Sequence, residues 1–433
     1  MEQWEKEESL PRKELEEIQL KRLKWTVRHA YNNVGFYRRK LRSAGITPDD
    51  IRRLEDITKI PFTTKDNLRD NYPFGMFAVP LNEVLRIHTS SGTSGKPKVV
   101  GYTRNDLENW INMVARCLFM VGVRKEDVFQ NMVNYAFFTG GLGFHYAAER
   151  IGALVVPAGV GNTKRQIQYM LDFGVTVIHA TPSYALHLKE VAEDLKIKPD
   201  ELNLKIGCFG AEPWSENTRK RLEEAFNIKA YDSYGLSEMN GPGVAFECQE
   251  QDGLHIWIDH FLVEIVDPET GEVLSEGEKG ELVLTTLTKE AMPLLRYRTG
   301  DVTYLLDNEC SCGRTHPRIH RIIGRCDDMI IVRGVNVFPS QIEHVLMQIP
   351  EVGDHFQVVI TRKGFLDEIT VRVEVRDEIF TGELVDLKKI QNKVQKSLQY
   401  ELGLRTNVEL VEKGTLERSV GKAKRVLDLR KNV

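Results

Sequence analysis

Residues 90–98, with the sequence SSGTSGKPK, combine the side chains that phosphate binding requires. Glycine lets a tight turn aim several backbone N–H groups at one anion. The hydroxyl side chains add further donors, and Lys96 adds a point charge that suits phosphate. The candidate phosphate-binding residues are Ser90, Ser91, Gly92, Thr93, Ser94, Gly95 and Lys96.

This stretch differs from the P-loop of many nucleotide-binding proteins. Ser90 stands where that motif has its first glycine, and Pro97 stands where Ser or Thr would bind magnesium. Because Pro97 also favours an extended conformation at Lys96, we predict a loop between two strands, at about 85–89 and 98–103. Taken alone, the composition of the loop slightly favours a Ser/Gly-rich surface turn.

Two further polar stretches follow predicted strands. GAEP at 210–213 follows a strand that ends at Phe209, and DSYGLSE at 232–238 follows a strand predicted over 228–231. Ligands of parallel α/β sheets bind beyond the carboxyl ends of the strands, so both stretches are expected to face one crevice. The alternative for either motif alone is a strand-to-helix turn with a polar cap.

Four side chains in this region suit the parts of a nucleotide. Tyr234 offers a flat face for a base, and Asp232 offers an acceptor for an exocyclic amine. Glu238 offers a carboxylate for Mg²⁺. Asp301, which ends YRTGD at 297–301, could accept both hydroxyls of a ribose, although an Asp after Gly is often a turn residue.

The surrounding pattern predicts an α/β protein. A helix is predicted over 11–43, closed by Gly35 or Gly45, and Thr103 with Asp106 resembles the start of another. Short apolar runs then alternate with amphipathic segments, which predicts parallel strands flanked by helices. The predicted strands lie near 128–133, 153–156, 175–179 and 204–209, and the predicted helices near 163–173, 182–194 and 215–226.

The rest of the chain predicts two further units. A β-rich subdomain is expected between about 254 and 306, and a smaller α+β unit after 335, where EITVRVEV alternates as a strand does. We expect an N-terminal domain at 1–326 and a small mobile domain at 327–433. No internal repeat interrupts this organisation.

Composition excludes several classes of protein. The 433 residues include 59 Lys and Arg against 63 Asp and Glu, a net charge of −4, which argues against a nucleic-acid or anionic-membrane partner. No apolar run reaches the ~18 residues of a membrane span. Six cysteines in a chain of this length do not make a disulfide scaffold, so we expect a cytoplasmic protein.

Cysteine and histidine spacing suggests a metal site. Cys310 and Cys312 present two thiols on a tight turn, and Cys248 and His255 lie in the preceding β-region. One Cys₃His set would satisfy tetrahedral zinc, so we predict structural Zn²⁺ at these four residues. The alternative is a group of ordinary buried thiols, which is the expectation for Cys117, Cys208 and Cys326.

The ordered motifs resemble those of adenylate-forming acyl-CoA synthetases. SSGTSGKPK, GAEP, DSYGLSE and YRTGD are followed by GRCDDMIIVRG at 324–334 and GKAKR at 421–425. Within that superfamily the chain is most similar to the phenylacetate–CoA ligase group, on GLHIWIDHF at 253–261, TLTKEAMPLLRYRTGD, and RGVNVFPSQIE at 333–343. The resemblance covers nearly the whole chain.

The resemblance implies ATP, CoA and Mg²⁺ as partners in a two-step ligase reaction. A carboxylic acid is first joined to AMP, and CoA then displaces AMP to give a thioester. Glu238 would hold Mg²⁺ and Lys422 would bridge the acyl carboxylate and the α-phosphate. The remaining residues implied to bind ATP or AMP are Ala211, Glu212, Asp232, Tyr234, Gly235, Ser237, Asp301 and Arg325.

The C-terminal part carries three implied roles. Lys422 would be the catalytic cation, with Lys424 as its nearest competitor and a solvated basic tail as the alternative. Asp327 matches the hinge about which the small domain swings, although two adjacent aspartates could instead cap a turn. Arg333 and Gly334 would contact CoA.

An aromatic run at 134–146, NYAFFTGGLGFHY, predicts the acid pocket. Tyr135 and Phe138 would form walls, and Gly140 and Gly141 would make room for a flat ring. This favours a phenylacetate-like acid over a long acyl chain, although benzoate or an indole acetate fits the same description. Core packing at the end of a strand is the alternative.

Two rival functions use the same motifs. The first keeps adenylation but passes the acyl group to another acceptor, such as a carrier protein. The second is a non-catalytic nucleotide-binding sensor, which loss of Glu238 or Lys422 would indicate; both residues are present. The family resemblance also implies a homodimer.

Overall fold

The structure is a computed structural model that describes residues 2–89, 97–326, 329–332, 335–363, 366–376, 384–418 and 425–430. Some predicted site residues lie outside these ranges, namely Ser90, Ser91, Gly92, Thr93, Ser94, Gly95, Lys96, Asp327, Arg333, Gly334 and Lys422. Their roles therefore stay predictions from the sequence.

Two helices replace the single helix predicted over 11–43. α1 spans Arg12–Asn33 and α2 spans Gly35–Ser43. Val34 between them has an extended backbone and is 1% exposed, so the break places its side chain in the core. Gly35 begins α2 rather than closing a helix, whereas Gly45, with a φ of 70°, follows the end of α2.

An antiparallel hairpin flanks the predicted phosphate loop. It follows a short helix, α3, at Lys65–Asp70. β1 spans Arg86–Thr89 and β2 spans Val99–Tyr102, with His88 opposite Val100. The strands predicted on either side of residues 90–96 are thus confirmed.

Helices and strands alternate after β2, as predicted. In chain order they are α4 (Arg104–Met120), β3 (Val128–Asn131), α5 (Thr139–Ile151), β4 (Leu154–Val156), α6 (Thr163–Phe173), β5 (Val177–Ala180), α7 (Pro182–Asp194), β6 (Ile206–Gly210), α8 (Glu216–Phe226) and β7 (Lys229–Leu236). The Thr103 hydroxyl accepts the Asp106 N–H at 3.1 Å, and the Asp106 carboxylate accepts the Thr103 N–H at 2.9 Å. This capping box confirms the predicted start of α4.

The next strands continue the main sheet and build a second one. They are β8 (Gly241–Glu247), β9 (Leu254–Ile256), β10 (Phe261–Val266), β11 (Gly280–Thr286), β12 (Tyr297–Thr303), β13 (Arg318–Ile319) and β14 (Gly324–Arg325). The main sheet has the order β13-β9-β8-β7-β6-β5-β3-β4, and it is parallel from β4 to β7. The second sheet is antiparallel, with the order β10-β11-β12-β14.

A smaller α+β unit follows, and we call its described residues, from 329 to 430, the C-terminal unit. Its elements are β15 (Ile330–Val332), β16 (Val335–Val337), α9 (Pro339–Met347), β17 (Val352–Lys363), β18 (Leu366–Val375), α10 (Leu384–Leu402), β19 (Asn407–Val411) and β20 (Val426–Asp428). Four strands form a sheet of order β19-β18-β17-β20. Its core is separate from the two cores of the preceding residues. The predicted fold class is confirmed.

Charged side chains connect the C-terminal unit to the rest of the chain, which we call the N-terminal unit. Asp354 in β17 accepts Lys189 Nζ of α7 at 2.9 Å and also pairs with Arg221 of α8. Glu343 in α9 accepts the Thr218 hydroxyl at 2.7 Å. Within the described ranges, no helix combines the length and apolar content that crossing a membrane takes.

Candidate functional site

The predicted ribose-binding carboxylate lies between two other predicted site residues. Asp301 is 2% exposed, and its Oδ2 accepts the Tyr234 hydroxyl at 2.6 Å. Its Oδ1 accepts Nη1 of Arg325 at 2.7 Å, because β12 and β14 pair Asp301 directly with Arg325. Burial, and then the Asp301 charge, raises the pKa of Tyr234 well above its ordinary value, so the phenol stays a donor. These three residues form one side of the site.

Glu238 lies in a short 3₁₀ helix, Ser237–Met239, that directly follows β7. It is 3% exposed, forms an ion pair with Lys98, and accepts the Tyr297 hydroxyl at 3.0 Å. Burial on its own raises the pKa of the Glu238 carboxyl, but the Lys98 charge and the hydrogen bonds to the carboxylate together outweigh burial and leave that pKa below its ordinary value. The carboxylate is therefore ionised at neutral pH and can bind a cation.

One strand holds both carboxylates in place. Tyr297 and Asp301 lie four residues apart in β12, where alternate residues share a face, and both are buried. Tyr297 contacts Glu238, and Asp301 contacts Tyr234. The predicted ribose ligand and the tyrosine that holds the predicted magnesium ligand thus lie on one face of β12.

Asp232 occupies a different environment from the one expected. Residues 232–236 lie within β7 rather than after it, because the strand continues along β8. Asp232 is buried beside Glu247, which accepts the Asp232 N–H at 2.7 Å, and its Oδ2 lies 3.9 Å from Nε of Arg321. Burial and the Glu247 charge raise the pKa of Asp232. Its contact with an adenine amine stays a prediction.

The GAEP turn follows β6 as expected. Ala211 has a φ of 70°, which is rare for a residue with a side chain. Glu212 Oε1 accepts the Ser183 N–H at the start of α7 at 2.8 Å. A cavity of about 430 Å³ opens between this turn and the C-terminal unit, and its lining includes Glu212, Arg325, Glu343, Arg425 and Arg430.

Gly235 and Ser237 support the turn that carries Glu238. A Cβ at Gly235 would lie 2.2 Å from the Gly241 carbonyl oxygen, so the close approach of β7 and β8 requires glycine. The Ser237 carbonyl accepts the Tyr102 hydroxyl at 3.2 Å, and the Ser237 hydroxyl lies 3.5 Å from that of Thr139. The structure gives both residues a backbone role, and their predicted nucleotide contacts stay predictions.

The predicted acid pocket lies at the junction of β3 and α5. The Tyr135 hydroxyl accepts Nδ2 of Asn131 at 2.8 Å and lies 3.1 Å from Nδ1 of His145, which fixes the ring. Phe138 precedes α5 and is 42% exposed. A Cβ at Gly140 would meet only Val133, at 4.0 Å, which agrees with room for a ligand.

Gly141 has a different reason to be glycine. A Cβ there would lie 2.5 Å from the Asn134 carbonyl oxygen. The close packing of the adjoining loop against α5 therefore requires glycine at this position. The predicted contact of Gly141 with a flat ring stays a prediction.

Cys248, His255, Cys310 and Cys312 meet in one cluster, as their spacing predicted. Their ligand atoms all lie within 4.8 Å of one another. Cys248 Sγ is 3.6 Å from Cys310 Sγ, and Cys312 Sγ is 3.3 Å from His255 Nε2. Two thiolates on one zinc with bonds of ~2.3 Å in tetrahedral geometry lie about 3.8 Å apart, so the cluster fits zinc.

The other ring nitrogen of His255 is within hydrogen-bond distance of a backbone carbonyl. His255 Nδ1 lies 3.1 Å from the His316 carbonyl oxygen, to which it donates when protonated there. That hydrogen bond leaves Nε2 unprotonated and directed at the thiols, which is the arrangement of metal-binding histidines. The four residues form a candidate metal centre.

Sequence reasoning missed three residues around Glu238, namely Lys98, Tyr297 and Lys289. Lys98 is 140 residues from Glu238 in the chain, and the sequence analysis assigned the local cation role to Lys96. The alternation of KPK was the available signal, since alternate residues of an extended segment lie on one face. Tyr297 and Lys289 both lie in the stretch TLTKEAMPLLRYRTGD, but nothing in that stretch indicates that they lie near Glu238.

Comparison with known proteins agrees with the geometry. Residues 37–287 match the family described as AMP-binding enzyme, and residues 334–430 match its C-terminal domain. The phenylacetate–coenzyme A ligase of Thermus thermophilus is 50% identical, with 98% of each chain covered. That of Escherichia coli is 49% identical, with 96% of this chain and 95% of the relative covered.

Solved structures show the same fold. A 2-hydroxyisobutyryl-CoA ligase in its postadenylation state, in complex with 2-HIB-AMP, has a TM-score of 0.93 at 32% identity, with 98% of this chain and 92% of that chain covered. The same ligase with CoA in its thioesterification state has a TM-score of 0.73. The units of this chain are therefore arranged more like those of the postadenylation state. On sequence and on structure, this chain belongs to the phenylacetate–coenzyme A ligase family of AMP-binding enzymes.

Proposed function

We propose that this chain is an AMP-forming ligase that joins phenylacetate to coenzyme A with the cleavage of ATP. The observation that carries the proposal is that one face of β12 presents Asp301, held by Tyr234 and Arg325, and also Tyr297, which holds Glu238. Its relatives named phenylacetate–coenzyme A ligase cover nearly the whole chain.

In the first half-reaction a carboxylate oxygen of the acid attacks the α-phosphorus of ATP. The new bond forms as the bond from that phosphorus to the bridging oxygen breaks, and pyrophosphate leaves. Because an anion approaches an anion, cations and oriented donors must offset the charge. Residues 90–96 and Lys422 would supply them, and Mg²⁺ held by Glu238 would neutralise phosphate charge when bound.

The adenosine part would occupy the side of the site built by β7, β12 and β14. The Asp301 carboxylate would accept the ribose hydroxyls, with Arg325 holding the carboxylate in place. Tyr234, Ala211 and Glu212 would flank the base. The cavity beside Glu212 and Arg325 supports this position.

In the second half-reaction the thiol of CoA attacks the acyl carbon of the adenylate. The C–S bond forms, the bond from carbon to the phosphate oxygen breaks, and AMP leaves. We propose a boundary at 326/327, with Asp327 as hinge and with Arg333 and Gly334 at CoA. The separate core of the C-terminal unit supports this division.

The acid pocket would be lined by Tyr135, Phe138, Gly140 and Gly141. Fixing of the Tyr135 ring through Asn131 and His145 suits a flat, apolar ligand of defined size. Phenylacetate is preferred over benzoate or an indole acetate because the relatives that cover nearly the whole chain carry its name.

We further propose a structural zinc ion at Cys248, His255, Cys310 and Cys312. The residues that follow the cysteines hold the N-terminal segment: the Thr315 N–H donates to the Glu8 carbonyl at 3.1 Å. Elemental analysis of untagged protein should find one zinc per chain. Cys312→Ser should lose it and speed hydrogen exchange at residues 2–10, whereas Cys326→Ser should change neither; zinc-free wild type would refute the site.

The proposed function is tested by pyrophosphate release with a panel of carboxylic acids, with and without CoA. Phenylacetate should give the highest kcat/KM, and CoA should be required for turnover beyond the bound adenylate. Turnover with a carrier protein but not CoA would favour the carrier-dependent alternative. ATP binding without pyrophosphate release with any acid would favour a sensor. A cytoplasmic location and a homodimer accompany the proposal as predictions.

A further inference from the structure

Lys289 is a buried cation next to the Glu238 turn. Its side chain lies in the connection between β11 and β12 and is 0% exposed. Nζ donates to Oδ1 of Asn240 at 2.7 Å and lies 3.9 Å from the centre of the Tyr102 ring. Among the described residues it forms no ion pair with a carboxylate, which is rare for a fully buried lysine.

The two partners of Lys289 belong to the two elements that must align for phosphate chemistry. Asn240 is 1% exposed, has a φ of 78°, and follows the 3₁₀ helix that carries Glu238. Tyr102 ends β2, the strand that leaves the predicted phosphate loop, and its hydroxyl donates to the Ser237 carbonyl at 3.2 Å. Lys289 therefore bridges the loop hairpin and the Glu238 turn.

The backbone around Lys289 is fixed independently of its side chain. The Asp106 carboxylate of α4 accepts the N–H groups of Glu290 and Ala291 at 2.6 and 2.9 Å. Glu290 in turn accepts the Thr103 hydroxyl at 2.8 Å. Substitution of the Lys289 side chain should therefore leave this connection in place.

We infer that Lys289 is a positioning residue for the first half-reaction, whose charged ammonium holds the Glu238 turn in register with the hairpin that carries the phosphate loop. The inference rests on the proposed ligase function. Displacement of a catalytic group by about 1 Å costs roughly 100-fold in rate. An ammonium is better suited to this than a neutral side chain, because it can engage an amide oxygen and a ring face together.

Charge on Lys289 should set an alkaline limit on activity. Burial lowers the pKa of Lys289 to about 8, and the Asp106 and Glu238 charges oppose this only in part. Other groups facing it are Tyr102, whose pKa burial raises well above its ordinary value, and His88, whose pKa burial lowers. Neither changes charge between pH 8 and 10, so adenylation should fall about tenfold per pH unit above 8 as Lys289 loses its proton.

The pH dependence of stability has the opposite sign to that of adenylation. A lysine whose pKa is lower in the folded state binds fewer protons there than in the unfolded chain at pH 8–10. The free energy of unfolding therefore rises with pH in this window while adenylation falls. If Lys289 had only a structural role, adenylation would not fall over the pH range in which the free energy of unfolding rises.

The test compares Lys289→Met, Lys289→Arg and Asn240→Asp with a control, Lys125→Met, at a surface lysine whose side chain is 77% exposed. Phenylacetate-dependent pyrophosphate release without CoA is measured from pH 6.5 to 10, and the melting temperature at the same pH values. Thioester formation from synthetic phenylacetyl-adenylate is measured in parallel.

Lys289→Met should lower adenylation roughly 100-fold at pH 7 and abolish the alkaline fall, with the melting temperature and thioester formation nearly unchanged. Asn240→Asp should shift the alkaline fall upward, because a carboxylate partner favours the charged lysine. Lys289→Arg should restore part of the activity and remove the fall. Lys125→Met should behave as wild type.

An unchanged alkaline fall in Lys289→Met, or equal loss in both half-reactions, would overturn the inference. So would a loss of activity in Lys289→Met that merely follows a lower melting temperature, with Asn240→Asp keeping the wild-type pH profile. Wild-type protein that releases no pyrophosphate with phenylacetate would instead refute the proposed function.

Discussion

The carboxylates of the candidate site and those between the two units are held by different partners. Glu238 and Asp301 each accept a tyrosine hydroxyl from a strand of the N-terminal unit, at 3.0 and 2.6 Å. Both tyrosines and both carboxylates belong to the N-terminal unit, so these hydrogen bonds need no residue of the C-terminal unit. This half of the site is therefore built to be rigid.

Contacts between the units rely on charge. Asp354 pairs with Lys189 and Arg221, and Glu190 pairs with Arg418 at 3.2 Å. Burial alone raises the pKa of Asp354, but the two cations outweigh it and lower that pKa, so the pairs persist at neutral pH and weaken on acidification. Water can replace each partner when the units separate. The comparison indicates a fixed site for adenylation and a releasable contact between the units.

The largest expected effect is at Lys422, the proposed catalytic cation. Lys422→Ala should lower adenylation by at least 100-fold, because it removes the cation that we propose offsets the developing charge. Thioester formation from synthetic phenylacetyl-adenylate should change much less. Lys424→Ala is the control, and equal loss of both half-reactions in Lys422→Ala would contradict the assignment.

Glu238→Gln should be next, with adenylation reduced about 100-fold at fixed magnesium. The amide keeps the hydrogen bond from Tyr297 but loses the charge that we propose binds Mg²⁺. Raising the magnesium concentration should recover part of the rate. Glu269→Gln, at an exposed turn, serves as the control; if it matched Glu238→Gln, the fixed site would be misassigned.

Asp301→Asn should raise the KM for ATP by roughly ten- to a hundredfold, since a charged acceptor for two hydroxyls is lost. Tyr234→Phe removes only the hydroxyl that orients this carboxylate, so its effect on KM should be smaller and in the same direction. Initial rates at varied ATP measure both. A change in kcat alone, with KM for ATP unaltered, would argue against a ribose contact.

Asp354→Asn should have the smallest effect and the most selective one. Loss of the pairs with Lys189 and Arg221 destabilises the described arrangement, so adenylation should fall about tenfold while thioester formation is unchanged or faster. Asp367→Asn is a matched control, because Asp367 pairs with Arg362 and Arg430 within the C-terminal unit. Equal effects of the two substitutions would show that the ion pairs between the units have no specific role in adenylation.

Local sequence signals predicted local structure well. Thr103 and Asp106 predicted the start of α4, and the bounds of α6 and α7 match those expected. The break between α1 and α2 at Val34 was missed because it depends on the burial of the Val34 side chain, which is set by tertiary packing. Residues 232–236 were assigned to a loop because the pairing of β7 with β8 depends on tertiary structure.

Long-range partners limited prediction of the site. Spacing of the cysteines and histidine was sufficient to predict the cluster, because few other arrangements use that set. The motifs likewise predicted Glu238 and Asp301. Their partners Lys98, Tyr297 and Tyr234 come from distant positions, and no pattern within the sequence states which hydroxyl meets which carboxylate.

The most direct test measures both half-reactions in Glu238→Gln and Asp354→Asn. Pyrophosphate release without CoA reports the first half-reaction, and thioester formation from synthetic phenylacetyl-adenylate reports the second. We predict a large loss confined to the first half-reaction in Glu238→Gln, and in Asp354→Asn a modest loss of the first with the second preserved or faster. Parallel loss of both half-reactions in both variants would contradict the account.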